Sequence, residues 1–504
     1  MKGERRCEEY AGAAAELLSG LACAMAHAGQ RPCQATAVGG GQWQPFMIAP
    51  GFFVPTFARM HTLDQLRSGQ LQGIKRLDLA AGLTAFPPEI FALADSLEVL
   101  NLSGNALSSL PDDLPKLHKL RVIFCSDNQF TSVPEVLARC PELRMVGFKA
   151  NQIRSLPAAA LPSKLRWLIL SDNQLEAVPA EIGNCQHLQK LMLAGNRLKT
   201  LPETLARCIK LELLRIAANE LTELPAWLLR MPRLTWLAYA GNPFADSSEA
   251  AAHPHIDRID WEQLALEQQL GEGASGVIYR AEWRRPDAPP TEVAVKIFKG
   301  ALTSDGLPLH EMAACIGAGT HPNLIAVQGQ LARHPTGAEG LVLELVSPSF
   351  RNLAGPPSLE SCTRDVYAAG TRFSLEAVFR IARGIAAAAE HLHARRIMHG
   401  DLYAHNILIN DAGKPLLGDF GAACFFEPTA TTTATALQQL EARAFGCLLE
   451  ELLEHCVADP STTEQLWALQ QRCTQPEVAA RPLFSEIHRT LTQLQPAFSS
   501  QQLA

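Results

Sequence analysis

The sequence predicts a multidomain protein in which an α/β solenoid of stacked repeats is followed by a second globular domain. Seven segments between residues 97 and 242 fit the pattern L-x-x-L-x-L-x-x-N, and their asparagines recur at intervals of 22 or 23 residues. A second pattern, H-x-D-x-x-x-x-N followed by D-F-G, lies between His399 and Gly421. At 504 residues the chain is also too long for one hydrophobic core.

The first 59 residues show no helical or strand period that persists. We therefore expect residues 1–59 to form a disordered leader. The alternative is that the natural protein begins at Met60, where an amphipathic segment starts. Acidic residues flank and interrupt the apolar stretch at 11–28, which argues against a secretory signal peptide.

Composition and charge narrow the possible functions. The net charge is −7 without a basic tract, so we expect no nucleic-acid partner and no polybasic membrane contact. No apolar run is long enough for a membrane-spanning helix. The 13 cysteines form no C-x-x-C pairs, which argues against zinc sites and a disulfide framework and favours a reducing, cytoplasmic location. Protein is then the expected kind of partner.

The repeated segments resemble leucine-rich repeats, which implies a solenoid of about eight units over residues 60–245. A degenerate unit at 74–82 carries Gly82 where the others carry asparagine. Each unit is a short strand with a return segment that cannot bury its own apolar side, and stacking joins those sides into one core. The asparagine can bond the backbone of the turn, so we expect its role to be structural.

Two positions of each repeat strand point away from the core, onto the concave side of the predicted sheet. Many of these residues are large and apolar, including Phe124, Trp167, Met192 and Trp236. An uncovered apolar sheet of this size would reduce solubility. The surface is therefore either a binding face for a protein partner or substrate, which we favour, or a face covered by the chain's own segments.

The pattern after Ile397 has the spacing that phosphoryl transfer requires. Such a site needs one carboxylate to orient the attacking hydroxyl, plus an amide and a second carboxylate to hold Mg²⁺ on the phosphates of ATP. Asp401 fits the catalytic role, and Asn406 and Asp419 fit the metal-binding roles.

Other segments complete a resemblance to the protein kinase family. The predicted kinase domain spans residues 261–496, after a linker at 246–260 and before a tail at 497–504. The segments that carry the resemblance are LGEGASGVIY (270–279), VAVKIF (293–298), HPNLI (321–325), LVLELV (341–346) and RCTQPEVAARPLFSEI (472–487), the last of which is similar to tyrosine-kinase-like kinases. The resemblance implies a two-lobed α+β fold and an ATP- and Mg²⁺-dependent kinase directed at serine or threonine.

The resemblance also implies how the phosphates of ATP are held. Gly271, Gly273 and Gly276 would form a turn whose backbone approaches the phosphates without intervening side chains. Lys296 would pair with the α- and β-phosphates and serve catalysis. Its expected partner is Glu311, ten residues before the HPN segment.

For the base of ATP, the resemblance places two apolar residues around the adenine and one backbone segment at its edge. Val277 and Ala294 would enclose the ring, and the backbone after Glu344 would hydrogen-bond it. Val277 directly follows the third glycine, and a strand comes soon afterwards. This order favours a hairpin over ATP rather than a dinucleotide-binding turn.

The chain departs from the kinase pattern at several positions. Gly400 replaces the arginine before the catalytic aspartate, so no cation there can capture a phosphorylated activation loop. Tyr403 stands where serine/threonine kinases place a lysine near the γ-phosphate, and Glu441 replaces the aspartate that braces the catalytic loop. The activation segment is short and lacks an APE sequence, so much of the usual substrate platform is missing.

Three functions remain in competition. The first is an active protein kinase whose repeats recruit a partner or substrate. The second is a pseudokinase or scaffold, which the complete set of metal and phosphate ligands disfavours. The third is a small-molecule phosphotransferase, because HGDL followed by asparagine also resembles aminoglycoside and choline kinases; the glycine loop, HPN and DFG disfavour it.

Overall fold

The computed structural model of the chain describes residues 60–245, 256–273, 275–299, 302–303, 305–427 and 431–501. The predicted leader and most of the predicted linker lie outside the described residues. The described part comprises an N-terminal solenoid and a C-terminal domain with a small and a large lobe. The predicted fold class is confirmed.

The solenoid is built on one parallel sheet with one short strand per repeat. Its eight strands follow chain order and pair in register with their neighbours. The first strand lies in the degenerate repeat. The strands are β1 (Arg76–Asp78), β2 (Val99–Asn101), β3 (Val122–Phe124), β4 (Met145–Gly147), β5 (Trp167–Ile169), β6 (Lys190–Met192), β7 (Leu213–Arg215) and β8 (Trp236–Ala238).

The return segments on the convex side form short 3₁₀ helices, and a helix α1 (Leu63–Arg67) precedes the first repeat. Proline stands immediately before five of the 3₁₀ helices, where its fixed φ suits the entry into a helical turn. The 3₁₀ helices span Pro88–Leu93, Leu114–Lys116, Glu135–Arg139, Ala158–Ala160, Ala180–Asn184, Glu203–Arg207 and Leu228–Arg230.

Asn173 illustrates the structural role of the repeated asparagine. Its Nδ2 donates to the carbonyl oxygens of Phe148 at 2.9 Å and Leu170 at 3.0 Å, and its Oδ1 accepts from the amide of Ile153 at 2.9 Å. The side chain thereby satisfies backbone groups of two neighbouring repeats. The same contacts recur in later repeats at Asn196, Asn219 and Asn242.

The small lobe contains a six-stranded sheet and one helix. Strand order is β10-β11-β12-β14-β13-β9, antiparallel except where β9 joins β13. Helix α2 begins at Pro308, a favourable first position, and ends before Gly319, whose φ of 63° suits glycine. The elements are β9 (Arg258–Asp260), β10 (Leu264–Glu272), β11 (Gly276–Trp283), β12 (Thr291–Phe298), α2 (Pro308–Ala318), β13 (Val327–Ala332) and β14 (Gly340–Glu344).

The large lobe is mainly helical and carries two small sheets. Helix α3 begins where Ser374 caps the amide of Ala377 at 3.2 Å. The short strands flank the catalytic pattern and hold it at the surface of the lobe that faces the small lobe. The elements are β15 (Arg351–Asn352), α3 (Leu375–Ala394), β16 (Ile397–Met398), β17 (Ile407–Ile409), β18 (Pro415–Leu417), β19 (Cys424–Phe425), α4 (Thr431–Glu454), α5 (Pro460–Cys473) and α6 (Phe484–Gln501).

The concave face of the solenoid is covered by the large lobe. Phe124, Trp167, Met192 and Trp236 are each less than one tenth exposed. They belong to the same hydrophobic cluster as core residues of α3 and α4. The expectation that these side chains are open to an outside partner is therefore wrong, and the alternative, coverage by the chain's own segments, is observed.

Burial of the concave face contributes strongly to the stability of the folded protein. Eight apolar residues of the concave face are buried in the shared cluster, and burying one such side chain contributes about 1.5–3 kcal/mol. Their sum is on the order of 10 kcal/mol, comparable with the whole stability of an ordinary domain. The eight residues are Val122, Phe124, Met145, Trp167, Ile169, Met192, Leu213 and Trp236.

Buried polar contacts reinforce the interface between solenoid and large lobe. Glu212 accepts from the hydroxyl of Thr363 at 2.5 Å and pairs with Arg364 at 3.4 Å and Arg443 at 3.5 Å. Arg481 donates to the carbonyl oxygen of Pro232 at 2.7 Å. A buried carboxylate needs such partners, because an unpaired charge there would be strongly destabilising.

Of the helices that the structure describes, none combines the length and apolarity needed to cross a bilayer. The ten cysteines within the described residues are all free thiols.

We expect calorimetry of the full chain to show one cooperative unfolding transition, because the solenoid and the large lobe share a core. Trp236→Ala should destabilise that transition by about 3–5 kcal/mol, the usual cost of truncating a buried aromatic residue. Ile209→Ala is the control, since this solenoid side chain is 55% exposed. Two separate transitions, with Trp236→Ala moving only one, would contradict the shared core.

Candidate active site

The small lobe places Lys296 and Glu311 in contact. Lys296 lies on β12 between the buried Val295 and the partly buried Ile297, and its Nζ forms an ion pair with Oε1 of Glu311 on α2. Both side chains are largely buried. Burial alone would lower the pKa of Lys296, but Glu311 and Asp419 outweigh this effect and raise it. The lysine is thus held as a fixed positive charge facing the cleft.

The glycine-rich hairpin joins β10 and β11. The amide of Gly273 donates to the carbonyl oxygen of Gly276 at 2.9 Å, which closes the turn. A Cβ on Gly276 would lie 2.6 Å from the carbonyl oxygen of Ile297, so only glycine fits there. A Cβ on Gly273 would meet nothing within 4 Å, so this turn borders open space. Gly271 pairs with Ile278 across the hairpin.

The structure places the three expected adenine contacts on adjoining strands. Val277 is the second residue of β11, Ala294 lies buried on β12, and Glu344 ends β14. Strands β11, β12 and β14 are consecutive neighbours in the sheet. This arrangement gives an apolar wall that ends at the segment joining the two lobes.

The catalytic pattern forms a loop between β16 and β17. Asn406 Nδ2 donates to the carbonyl oxygen of Asp401 at 2.9 Å and to its Oδ2 at 2.8 Å. The amide of Gly418 donates to the carbonyl oxygen of Asn406 at 2.9 Å, which ties the loop to the segment before D-F-G. These two contacts use Nδ2 of Asn406 and fix the orientation of its side-chain amide.

Glu441 braces this loop from α4 although it replaces the expected aspartate. Its Oε1 accepts from the amide of Gly400 at 2.7 Å, and its Oε2 bonds His393 Nε2 at 2.6 Å. Burial alone would raise the pKa of Glu441, but His393 and the loop amide lower it. The substitution therefore keeps the bracing function.

Gly400 cannot be replaced by a larger residue in this arrangement. Its φ is 74°, and a Cβ would lie 2.4 Å from the carbonyl oxygen of Ala422 and 2.8 Å from that of Leu237 in the solenoid. Glycine at this position thus follows from its left-handed backbone and from the close approach of two backbone carbonyls, one of the kinase domain and one of the solenoid.

The D-F-G segment has a constrained backbone. Asp419 adopts a φ of 53°, unusual for a residue other than glycine, and its Oδ1 accepts from the amide of Gly421 at 3.2 Å. Phe420 is buried, with its ring 5.1 Å from that of His399. Such backbone strain is typical of functional sites.

Residues of the solenoid also reach the catalytic loop, which the sequence did not predict. Arg215 Nη1 donates to the carbonyl oxygen of Gly400 at 3.2 Å, and its other nitrogens pair with Asp401 Oδ1 and Asp305 Oδ1. Burial alone would raise the pKa of Asp401, but Arg215 and neighbouring histidines hold it below its ordinary value. Arg215 occupies one of the two positions of β7 that point to the concave side, yet no local pattern links it to a carboxylate 186 residues away.

Trp236 makes the second solenoid contact to the loop. Its ring stacks on Tyr403 with centroids 4.0 Å apart and planes 9° from parallel. Its Nε1 donates to the carbonyl oxygen of Leu402 at 3.2 Å. The tyrosine that departs from the kinase pattern is therefore part of the interface.

Comparison with known families agrees with this geometry. Residues 264–444 match the family described as protein tyrosine and serine/threonine kinase, and residues 95–153 and 163–221 match leucine rich repeats. The chain carries leucine-rich repeats and a protein kinase domain. Such a domain implies the use of ATP and a divalent metal, and the repeats imply interaction with protein.

Individual relatives cover only part of the chain. The ephrin type-B receptor 3 of Danio rerio is 27% identical over 38% of this chain and 36% of its own length. The serine/threonine-protein kinase A-Raf of Mus musculus is 25% identical over 36% of this chain and 26% of its own length. A leucine-rich repeat protein of Leptospira interrogans has 27% identity and a TM-score of 0.33, over 36% of this chain and 45% of its own. The chain thus spans about a third or less of these curated relatives.

The donor set at the loop suits a hard divalent cation. Asn406 offers an amide oxygen and Asp419 a carboxylate, the ligand types that magnesium prefers. Among the described residues, no group of three or more histidine, cysteine or acidic side chains is arranged to hold a metal. A metal bound by two side chains and by phosphate oxygens requires no such group.

We expect Glu311→Gln to weaken phosphoryl transfer by about 10²–10³ in kcat, because Lys296 would lose the carboxylate that fixes its position. Steady-state kinetics with varied ATP measures this loss. Glu292→Gln is the matched control, since this glutamate lies on β12 but is 60% exposed in its pair with Arg280. Equal rates for the wild type and Glu311→Gln would contradict the role of the pair.

Proposed function

We propose that the protein is an ATP- and Mg²⁺-dependent protein kinase that phosphorylates serine or threonine hydroxyls of proteins. The observation that carries the proposal is the joint presence of two preformed pairs, Lys296 with Glu311 and Asp401 with Asn406. Catalysis of phosphoryl transfer depends mainly on positioning and electrostatic stabilisation. These pairs provide a fixed cation in one lobe and an oriented carboxylate in the other.

In the proposed reaction, the acceptor hydroxyl oxygen attacks the γ-phosphorus of ATP, and the bond from that phosphorus to the β–γ bridging oxygen breaks. ADP leaves with the electron pair of the broken bond, and Asp401 accepts the hydroxyl proton. Lys296 would bind the α- and β-phosphates. Gly271, Gly273 and Gly276 would allow the backbone to approach the phosphates closely.

Asn406 and Asp419 would hold the Mg²⁺ ion. When bound, the ion supplies positive charge that offsets the charge of the phosphate oxygens. The strained φ of Asp419 and the amide orientation of Asn406 support this assignment. Val277 and Ala294 would enclose the adenine, and the backbone after Glu344 would bond its edge.

The choice of serine or threonine as acceptor rests on the resemblance of residues 472–487 to tyrosine-kinase-like serine/threonine kinases. The matching relatives include proteins named as a receptor and as a serine/threonine kinase. The free thiols of the described cysteines support a reducing compartment such as the cytoplasm.

A catalytically silent scaffold is the second candidate. One observation favours it: Asp401 already pairs with Arg215 of the solenoid, so its carboxylate is engaged before any substrate arrives. In that case the kinase fold would bind nucleotide without transferring phosphate.

The deciding experiment is transfer of ³²P from [γ-³²P]ATP by the full chain to itself and to generic proteins, followed by phosphoamino-acid analysis. We expect label on serine or threonine, and a loss of about 10²–10⁴ in rate for Asp401→Asn. Asp419→Asn and chelation of Mg²⁺ should also abolish transfer, because each removes the metal.

Asp411→Asn provides the matched control, since Asp411 lies near the loop but is 85% exposed. Label on tyrosine alone would overturn the acceptor assignment. Full activity of Asp419→Asn would overturn the metal site. Nucleotide binding without any transfer would favour the scaffold.

A further inference from the structure

Arg215 connects three parts of the molecule at one point. It leaves β7 of the solenoid and pairs with Asp305, which precedes α2 of the small lobe, and with Asp401 in the large lobe. Its guanidinium also donates to the carbonyl oxygen of Gly400 at 3.2 Å. The side chain is only 2% exposed, so water contributes little to its solvation. A single buried cation thus links both lobes of the kinase domain.

The small-lobe end of this link is itself seated on the solenoid. The amides of Asp305 and Gly306 donate to the hydroxyl of Thr303 at 3.2 and 3.1 Å, which fixes the turn. A Cβ on Gly306 would lie 3.2 Å from the Cβ of Ala217, so the turn packs closely against the segment that follows β7 within the same repeat. This turn leads directly into α2, which carries Glu311, the partner of Lys296.

The large-lobe end is fixed by the neighbouring repeat. Trp236 on β8 stacks on Tyr403 and donates to the carbonyl oxygen of Leu402, so the two residues that follow Asp401 are held. Position 403 is one of the departures from the kinase pattern, where a cation was expected. Arg215 brings a cation to the catalytic carboxylate from another domain instead.

Two roles are compatible with a cation on Asp401: a plug that blocks the carboxylate until it is removed, or a permanent contact that orients it. The burial of the interface decides between these two roles. A removable plug would need an interface that opens easily, but eight apolar side chains of the concave face would then enter water. With Arg215 in this position, the Lys296–Glu311 pair is formed and Phe420 is buried. A permanent contact that orients the site fits these observations better than a plug.

We propose that Arg215 is a positioning residue for phosphoryl transfer, which orients Asp401 and holds the lobes together in place of an activation-segment contact. The inference rests on the proposed kinase function. It assigns the repeats a part in completing the active site, in addition to any binding of protein. The catalytic loop offers no cation at Gly400, and Arg215 of the solenoid supplies one beside Asp401 instead.

The test compares kcat and the KM for ATP in the full chain with Arg215→Met, Arg215→Lys and Asp305→Asn. We expect Arg215→Met to lower kcat at least tenfold with little change in the KM for ATP, since Lys296 and the glycine loop remain. Arg215→Lys should recover part of the rate, because it restores the charge but not the planar fork of donors. Asp305→Asn should lower kcat while leaving the Asp401 contact in place.

Arg443→Met is the control for general loosening of the interface. Arg443 crosses the same interface to Glu212 and is similarly buried, but it does not touch the catalytic loop. We expect this variant to lose stability and to retain kcat at a temperature where it is folded. If Arg215→Met does not fold, Asp305→Asn still tests the link. Asp305 is one third exposed, so we expect its substitution to disturb folding less.

Three outcomes would overturn the inference. A higher kcat for Arg215→Met would make the contact an autoinhibitory plug. An unchanged kcat, with Lys296→Met inactive, would overturn the positioning role while leaving the kinase function intact. A wild type as inactive as Lys296→Met would remove the proposed function, and the inference with it.

Discussion

Burial of the solenoid's concave face against the large lobe is the constraint on which the rest of the structure depends. The repeats present a row of large apolar side chains, among them Trp167 and Trp236, which are buried in one cluster with core residues of the large lobe. Docking them on the large lobe joins two folds into one core. The cost of separation makes this arrangement the resting form of the molecule.

Several departures from the kinase pattern follow from this docking. The carbonyl oxygen of Leu237 in the solenoid, together with that of Ala422, occupies the space that a side chain at Gly400 would need. Tyr403 offers an aromatic ring to Trp236 rather than a cation to a phosphate. Taken one at a time, these substitutions suggest a kinase that has lost its activity. Taken together, they are consistent with an active site that the solenoid completes.

The sequence predicted the repeats and the kinase fold, because both are marked by motifs of short-range spacing. The Lys296–Glu311 contact and the structural asparagines belong to this group. The sequence did not decide what covers the concave face. A periodic row of apolar residues has the same sequence pattern whether an outside partner or another segment of the chain packs against it. Arg215 and Asp401 meet across 186 positions, and no local pattern encodes such a contact.

A double-mutant cycle between Trp236 and Tyr403 tests the docking most directly. The free energy of unfolding would be measured for the wild type, Trp236→Ala, Tyr403→Ala and the double variant. The stacked geometry at 4.0 Å predicts a coupling energy of about 0.5–1.5 kcal/mol between the two positions. Additive effects, with a coupling energy near zero, would contradict the contact between the repeats and the catalytic loop.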